Sequence, residues 1–277
     1  MQVAEPLAGS WKARLSLGFG VENRKTVLNR KAHDGPLVVQ KPFYPEGGEV
    51  CHAIVVHPPG GIAGGDELRL EVAAAENSSV LLTTPGAAKW YRSGGPVASQ
   101  AMRFDVQGTL EWLPQEAIVF DGALARAGCE FDLAADAALI GWDIVCLGRT
   151  GSGERFARGS YRTSIRVSRE GRLLWLERGR IDGGGALLDS PAGLDGQPVF
   201  GTLFAASRAL DRKILEDLRQ EVPTEGKGAV TLLPGILLAR YLGGASEAAR
   251  RYFEALWRAL RPALLGREAS EPRIWRT

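Results

Sequence analysis

Acid, base and metal-ligating side chains crowd one part of this 277-residue chain. Cys51, His52 and His57 fall close together, and the stretch His57-Pro58-Pro59-Gly60-Gly61-Ile62-Ala63-Gly64-Gly65-Asp66 ends on a carboxylate. Thiolate and imidazole suit transition metals, so a metal cluster is the first chemistry to test. In an extended strand Cys51 and His52 point to opposite faces. Cys51 and His57 share a face but lie about 20 Å apart at ~3.3 Å per residue. They reach one ion only if the chain bends between them, so the residues read as structural or partner-facing. The cysteines Cys51, Cys129 and Cys146 form no CxxC pair and match no zinc-type ligand spacing.

Nucleophilic catalysis fares no better. The available bases are His33, His52 and His57, and no G-x-S-x-G elbow accompanies them. The Gly-Pro loop lies between an apolar run, Ile54 to Val56, and the alternating run Leu68 to Val72. Strand–loop–strand is the wrong context for a phosphate cradle, which needs a helix N-terminus after its glycines. The loop therefore reads as a shaped structural segment made by His57, Pro58, Pro59, Gly60, Gly61, Gly64 and Gly65. A hydrolase or transferase using Asp66 with Lys89 or Ser93 is the rival reading. It requires those side chains in one pocket within hydrogen-bond reach.

Three further carboxylates sit in apolar surroundings: Glu116 after Leu113-Pro114, Asp143 between Trp142 and Ile144, and Glu177 after Trp175-Leu176. Alternation can place each on a solvated face. If buried, each needs a partner, a hydrogen bond or a cation. Carboxylates lining a water-filled interior would make a cation route, as acidic rings do in pores.

The elements that must position these groups are mostly strands. Short β-type segments separated by Gly, Pro, Asn or Asp run through the first 205 or so residues. The expectation is a mainly β fold, with many short strands in an irregular β-helical or layered arrangement, in one domain over 1–277. No fixed-length repeat is visible. Continuously apolar runs at Val80 to Leu82 and Leu173 to Leu176 predict strands covered on both faces. Two C-terminal helices follow. One is capped by Asp211 with Ile214, Leu215 and Leu218 on its stripe and ends before Pro223. The other is capped by Ser246, carries Tyr252, Phe253, Leu256, Trp257 and Leu260, and stops before Pro262. Basic and acidic residues nearly balance, 34 against 32, so nothing draws the chain to nucleic acid or membrane. Sparse cysteines and the lack of a leader-like start predict a cytoplasmic setting.

The chain resembles the UreD (UreH) family of urease accessory proteins. The blocks that carry the likeness are His57 to Asp66, Thr83 to Ser93 (with Lys89 and Arg92), Leu113 to Phe120, Gly148 to Phe156 and Pro272 to Thr277. The resemblance implies a non-enzyme with an unusual β-helical fold, acting in urease maturation. It would dock on the urease apoprotein, recruit UreF and through it the GTPase UreG, and conduct nickel to the urease active site through an internal tunnel. A homodimer of that heterocomplex is compatible with it. Nickel would be a transient cargo, with no tightly bound cofactor. Asp66, Glu116, Asp143 and Glu177 are the candidate nickel path, because oxygen ligands bind Ni²⁺ weakly enough to release it. Lys89 and Arg92 would brace carboxylates or a turn. Tyr252, Trp257 and Trp275, with Arg250, Arg251 and Arg258, are the candidate partner surface. A purely structural assembly factor is the remaining alternative.

Overall fold

A computed structural model describes residues 10–276; Met1 and Thr277, the ends of two segments read above, lie outside them. The chain opens with an antiparallel hairpin, β1 (Lys12–Glu22) and β2 (Lys25–Asp34), then β3 (Val38–Val39). It next shuttles between two sheets through β4 (Val50–Val56), β5 (Glu67–Ala74), β6 (Ser79–Thr83), β7 (Ala88–Trp90) and β8 (Ala98–Val106). The shuttle continues through β9 (Thr109–Leu113), β10 (Ala117–Val119), β11 (Leu124–Leu133), β12 (Ala138–Leu147) and β13 (Ser160–Arg169). Then come β14 (Arg172–Asp182), a short helix α1 (Ala186–Asp189), β15 (Val199–Ala206), α2 (Lys213–Gln220), β16 (Lys227–Leu233), β17 (Ile236–Gly243) and α3 (Ser246–Leu265).

One sheet has the order β14-β13-β11-β8-β5-β1-β2; the other runs β16-β17-β15-β12-β9-β6-β4-β3, with β10 joining β12 to β7. The central strands of both are parallel, so the chain winds as stacked coils, with antiparallel strands added at the ends. Val50, Ser79, Thr109 and Ala138 stand in one register row. The coils therefore return after 29 or 30 residues, a period invisible in the sequence because it fixes only which positions face inward. The fold is mainly β, as expected.

Inward side chains of both sheets make one core, with Leu15, Leu70, Phe104, Phe131, Leu139 and Phe204 all buried. A second core lies on the other side of the ten-stranded sheet, where α3 lays Ala249, Phe253, Leu256, Trp257 and Leu260 on Ile140, Trp142 and Leu203. The ten-stranded sheet is thus covered on both faces, which explains the unbroken apolar run at Val80 to Leu82.

Five expectations need correction. Arg212, not Asp211, occupies the N-cap of α2, with Asp211 accepting the Lys213 N–H at 2.9 Å. Strands β16 and β17 lie past residue 205, where the reading placed only helices. Leu173 and Leu176 are exposed, because β14 is an edge strand of the sheet that no helix covers. Pro262 lies within α3, which runs on to a left-handed Gly266. Proline there removes the hydrogen bond to the Arg258 carbonyl, yet the last turn stays helical. Ala245, not Ser246, occupies the N-cap, and the Ser246 hydroxyl points to Glu116.

Candidate functional site

Four of the five sequence blocks singled out above are structurally one feature. Residues 57–66, 84–97, 114–123 and 148–159 are the successive crossovers that carry the coils from the ten-stranded sheet to the seven-stranded one. They stack on one another. Ile62 bridges Trp90, β7 pairs with β10, Ser93 N–H donates to Gly122 O, and Gly122 N–H donates to Arg158 O. The glycines permit this close stacking. A side chain at Gly61 would run into the Tyr91 ring and one at Gly64 into Ser93, while Gly65 sits at φ +91°.

Carboxylates brace this wall. Buried Asp66 accepts the Trp11 N–H at 2.7 Å and the Ala63 N–H at 2.8 Å. Asp121 accepts the Ala157 and Arg158 N–H groups at 3.0 and 2.8 Å and the Arg158 guanidinium at 2.6 Å. Glu154 takes the Arg149 guanidinium at 2.6 Å and the Asp121 N–H at 3.0 Å. Hydrogen bonds from Arg158 and Arg149 hold Asp121 and Glu154 below their usual pKa values. Arg92 donates to Asp121 O and lies 3.8 Å from its carboxylate. Asp66 is spent on backbone donors and Ser93 on Pro96 O, leaving the hydrolase or transferase constellation without geometric support.

Behind the wall, between the two sheets, is a cavity of about 360 Å³. His57, Gly61, Pro85, Gly86 and Lys89 line its outer part; Gln100, Met102, Trp112 and Asp143 line its inner part. A smaller cavity of about 50 Å³ shares that inner wall and continues to Cys129, Tyr161 and Thr163. Asp143 stands where the two meet. It makes no hydrogen bond or ion pair among the described residues; burial and the nearby Glu177 push its pKa up to about 6. Glu177 faces it from the seven-stranded sheet and is ion-paired with Arg240, which also donates to Thr202 at 2.8 Å. Asp143, Thr202 and Arg240 are register neighbours across β12, β15 and β17. Burial lowers the pKa of His57, whose Nε2 is buried without a partner among the described residues.

The candidate path residues are therefore not one cluster. Asp143 lines the cavity with Glu177 near it but outside the lining, Asp66 braces the outer loop, and Glu116 sits between β9 and β10 beside Ser246. Among the described residues no three His, Cys, Asp or Glu side chains gather into a ligand set, and all three cysteines are free and buried.

Comparison with known proteins decides the family. The model of the UreD urease accessory protein family matches residues 12–276. The chain belongs to this family. It is 54% identical to a urease accessory protein UreD of Azoarcus sp. (strain BH72), covering 100% of this chain and 97% of that protein. It is 53% identical to one of Dechloromonas aromatica (strain RCB), covering 97% and 95%. The relatives are named as accessory proteins, not as enzymes.

On the far side of the ten-stranded sheet the candidate partner residues divide. Tyr252 and Trp257 are buried against the sheet, so the aromatic stripe of α3 is its packing face. Trp275 packs on Trp142 and Trp257 and donates to Thr83 Oγ1 at 2.8 Å. Arg251 and Arg258 are exposed and paired with Glu247 and Glu271, while half-buried Arg250 donates to Gln115 Oε1 at 3.1 Å.

Sequence reasoning missed a buried charge network here. Arg261, Glu111 and Glu46 are bonded together, with Arg261 Nε 3.0 Å from Glu111 and Nη1 2.6 Å from Glu46. Trp257 Nε1 donates to Glu111 at 2.6 Å, and His52 shares Glu46 at 2.5 Å. The signal was available, because Arg261 falls four residues after Trp257 on the apolar stripe of α3.

Proposed function

We propose that the chain is a non-catalytic urease maturation factor that passes nickel, as cargo, through the cavity between its sheets. Asp143 carries this reading. It is a carboxylate facing a cavity with no protein donor or cation of its own, which costs free energy unless water or a cation serves it. An oxygen ligand that titrates near pH 6 holds Ni²⁺ weakly and releases it on protonation. Glu177 supplies a second charge, tempered by Arg240, so the pair attracts a divalent ion without trapping it. Asp66, bonded to the Trp11 and Ala63 N–H groups, and Glu116, beside Ser246, lie outside this passage. The setting is cytoplasmic, and the complex contains urease apoprotein, UreF and UreG. Trp275 and the exposed arginines of α3, Arg251 and Arg258, offer a surface on the side away from the seven-stranded sheet.

The test is urease activation by Asp143→Ala and Glu177→Ala, with assembly followed separately by size-exclusion chromatography with light scattering on the co-expressed UreF complex. The passage predicts intact assembly and impaired activation. Full activation by both variants would mean a purely structural adaptor, and failure to assemble with UreF would remove the adaptor role itself.

A further inference from the structure

The outer face of the seven-stranded sheet carries two charge rows of different character. In one row Glu71, Arg103, Glu130 and Arg166 are direct register partners on β5, β8, β11 and β13, alternating in sign. Arg103 and Arg166 are further paired with Asp132. That is how a solvated sheet face neutralises itself. Four residues back along β11 the pattern breaks. Arg126, Arg162 and Arg180 stand directly opposite one another on β11, β13 and β14. Like charges in register destabilise a sheet. Arg180 bonds Asp182 at 3.0 Å, but exposed Arg126 and Arg178 make no hydrogen bond or ion pair among the described residues.

Between the two rows runs a third, Arg69, Ala101, Gly128, Ser164 and Arg178, again in register. Its three central residues are small, so it forms the floor of a groove of about 480 Å³ with an arginine at each end.

We infer that this groove docks an acidic, extended segment of a partner protein. The three opposed arginines span about 10 Å, two strand spacings, and two carboxylates on alternate residues of an extended chain, about 6.6 Å apart, fall within that reach. The small floor admits a backbone, and Ser164 offers it a hydroxyl. Nucleic acid fits less well, since the basic zone stops at Glu67 on one side and Glu130 on the other instead of forming a track. A membrane surface fits less well too, because Leu68, the large apolar residue lining the groove, is buried and cannot insert. The inference holds whether or not nickel moves through the interior.

The experiment is fluorescence anisotropy of the full chain with a labelled acidic peptide of ten residues, beside a labelled oligothymidylate of equal length. Arg126→Glu combined with Arg162→Glu should weaken peptide binding about tenfold or more, while Arg103→Ala in the neutral row should change it less than about twofold. Binding should also fall as salt rises. Equal losses in both variants, no peptide binding at all, or tighter binding of the oligonucleotide would each overturn the inference. Folding is checked independently by Arg126→Gln, which relieves the opposed charges and should raise the melting temperature. A lower melting temperature would show that the row is internally compensated and would remove its reason to bind an anion.

Discussion

Glu111 and Asp143 are two interior carboxylates on neighbouring strands of one sheet, facing opposite ways. Burial raises the pKa of both. Glu111 faces α3, where Arg261 and Trp257 satisfy it and pull its pKa back toward the ionised form. Asp143 faces the space between the sheets, where its neighbour of note is another carboxylate. The first arrangement is closed and holds a helix in place. The second leaves oxygen lone pairs facing a cavity. Burial alone therefore does not mark a functional carboxylate; what matters is whether the fold supplies its counter-charge.

The largest effect should follow from opening the closed site. Glu111→Ala leaves Arg261 buried with one carboxylate fewer, and should cost about 3–5 kcal/mol in chemical denaturation. A loss below about 1 kcal/mol would mean that Glu46 alone satisfies the guanidinium. Next, Trp275→Ala removes a hydrogen bond to Thr83 and contacts with Trp142 and Trp257, and should cost about 2–3 kcal/mol by the same measurement. Asp143→Asn should behave in the opposite way. The folded protein holds this carboxyl at about 6, above its ordinary value, so its contribution is fully present at low pH and is lost as pH rises through 6. The asparagine variant should therefore gain on wild type between pH 4 and 8, by about 1–3 kcal/mol at the upper end, seen as a widening difference in melting temperature. A constant difference across that range would place an unseen partner on Asp143. The smallest change is expected from Arg251→Ala, whose exposed pair with Glu247 should be worth about 0.3–0.5 kcal/mol. Its value lies in binding, since a lost UreF complex without lost stability would locate that surface on α3.

Much of the fold was legible because strands announce themselves by alternation and punctuation. The two C-terminal helices were legible because their apolar stripes recur at helical spacing. The segment 227–243 was not, since its strands carry Gly228, Gly243 and a mixed pattern that gains meaning only against β15. Asp143 and Glu177 were legible as charges in apolar runs, and the crossover blocks as a dense set of prolines and glycines. Glu111 was missed for want of a visible partner, because Arg261 lies 150 residues away in sequence.

The sequence by itself determined membership of the family, the mainly β character and the places where the chain must turn. These depend on residue type and local spacing, which act over a few residues. Only the tertiary structure decided that the Gly-Pro crossovers stack into one wall, that Tyr252 and Trp257 face inward, and that Glu111 is neutralised while Asp143 is not. Each of these depends on which strand lies beside which. That is set by the 29- or 30-residue return of the coils, and no local pattern records it.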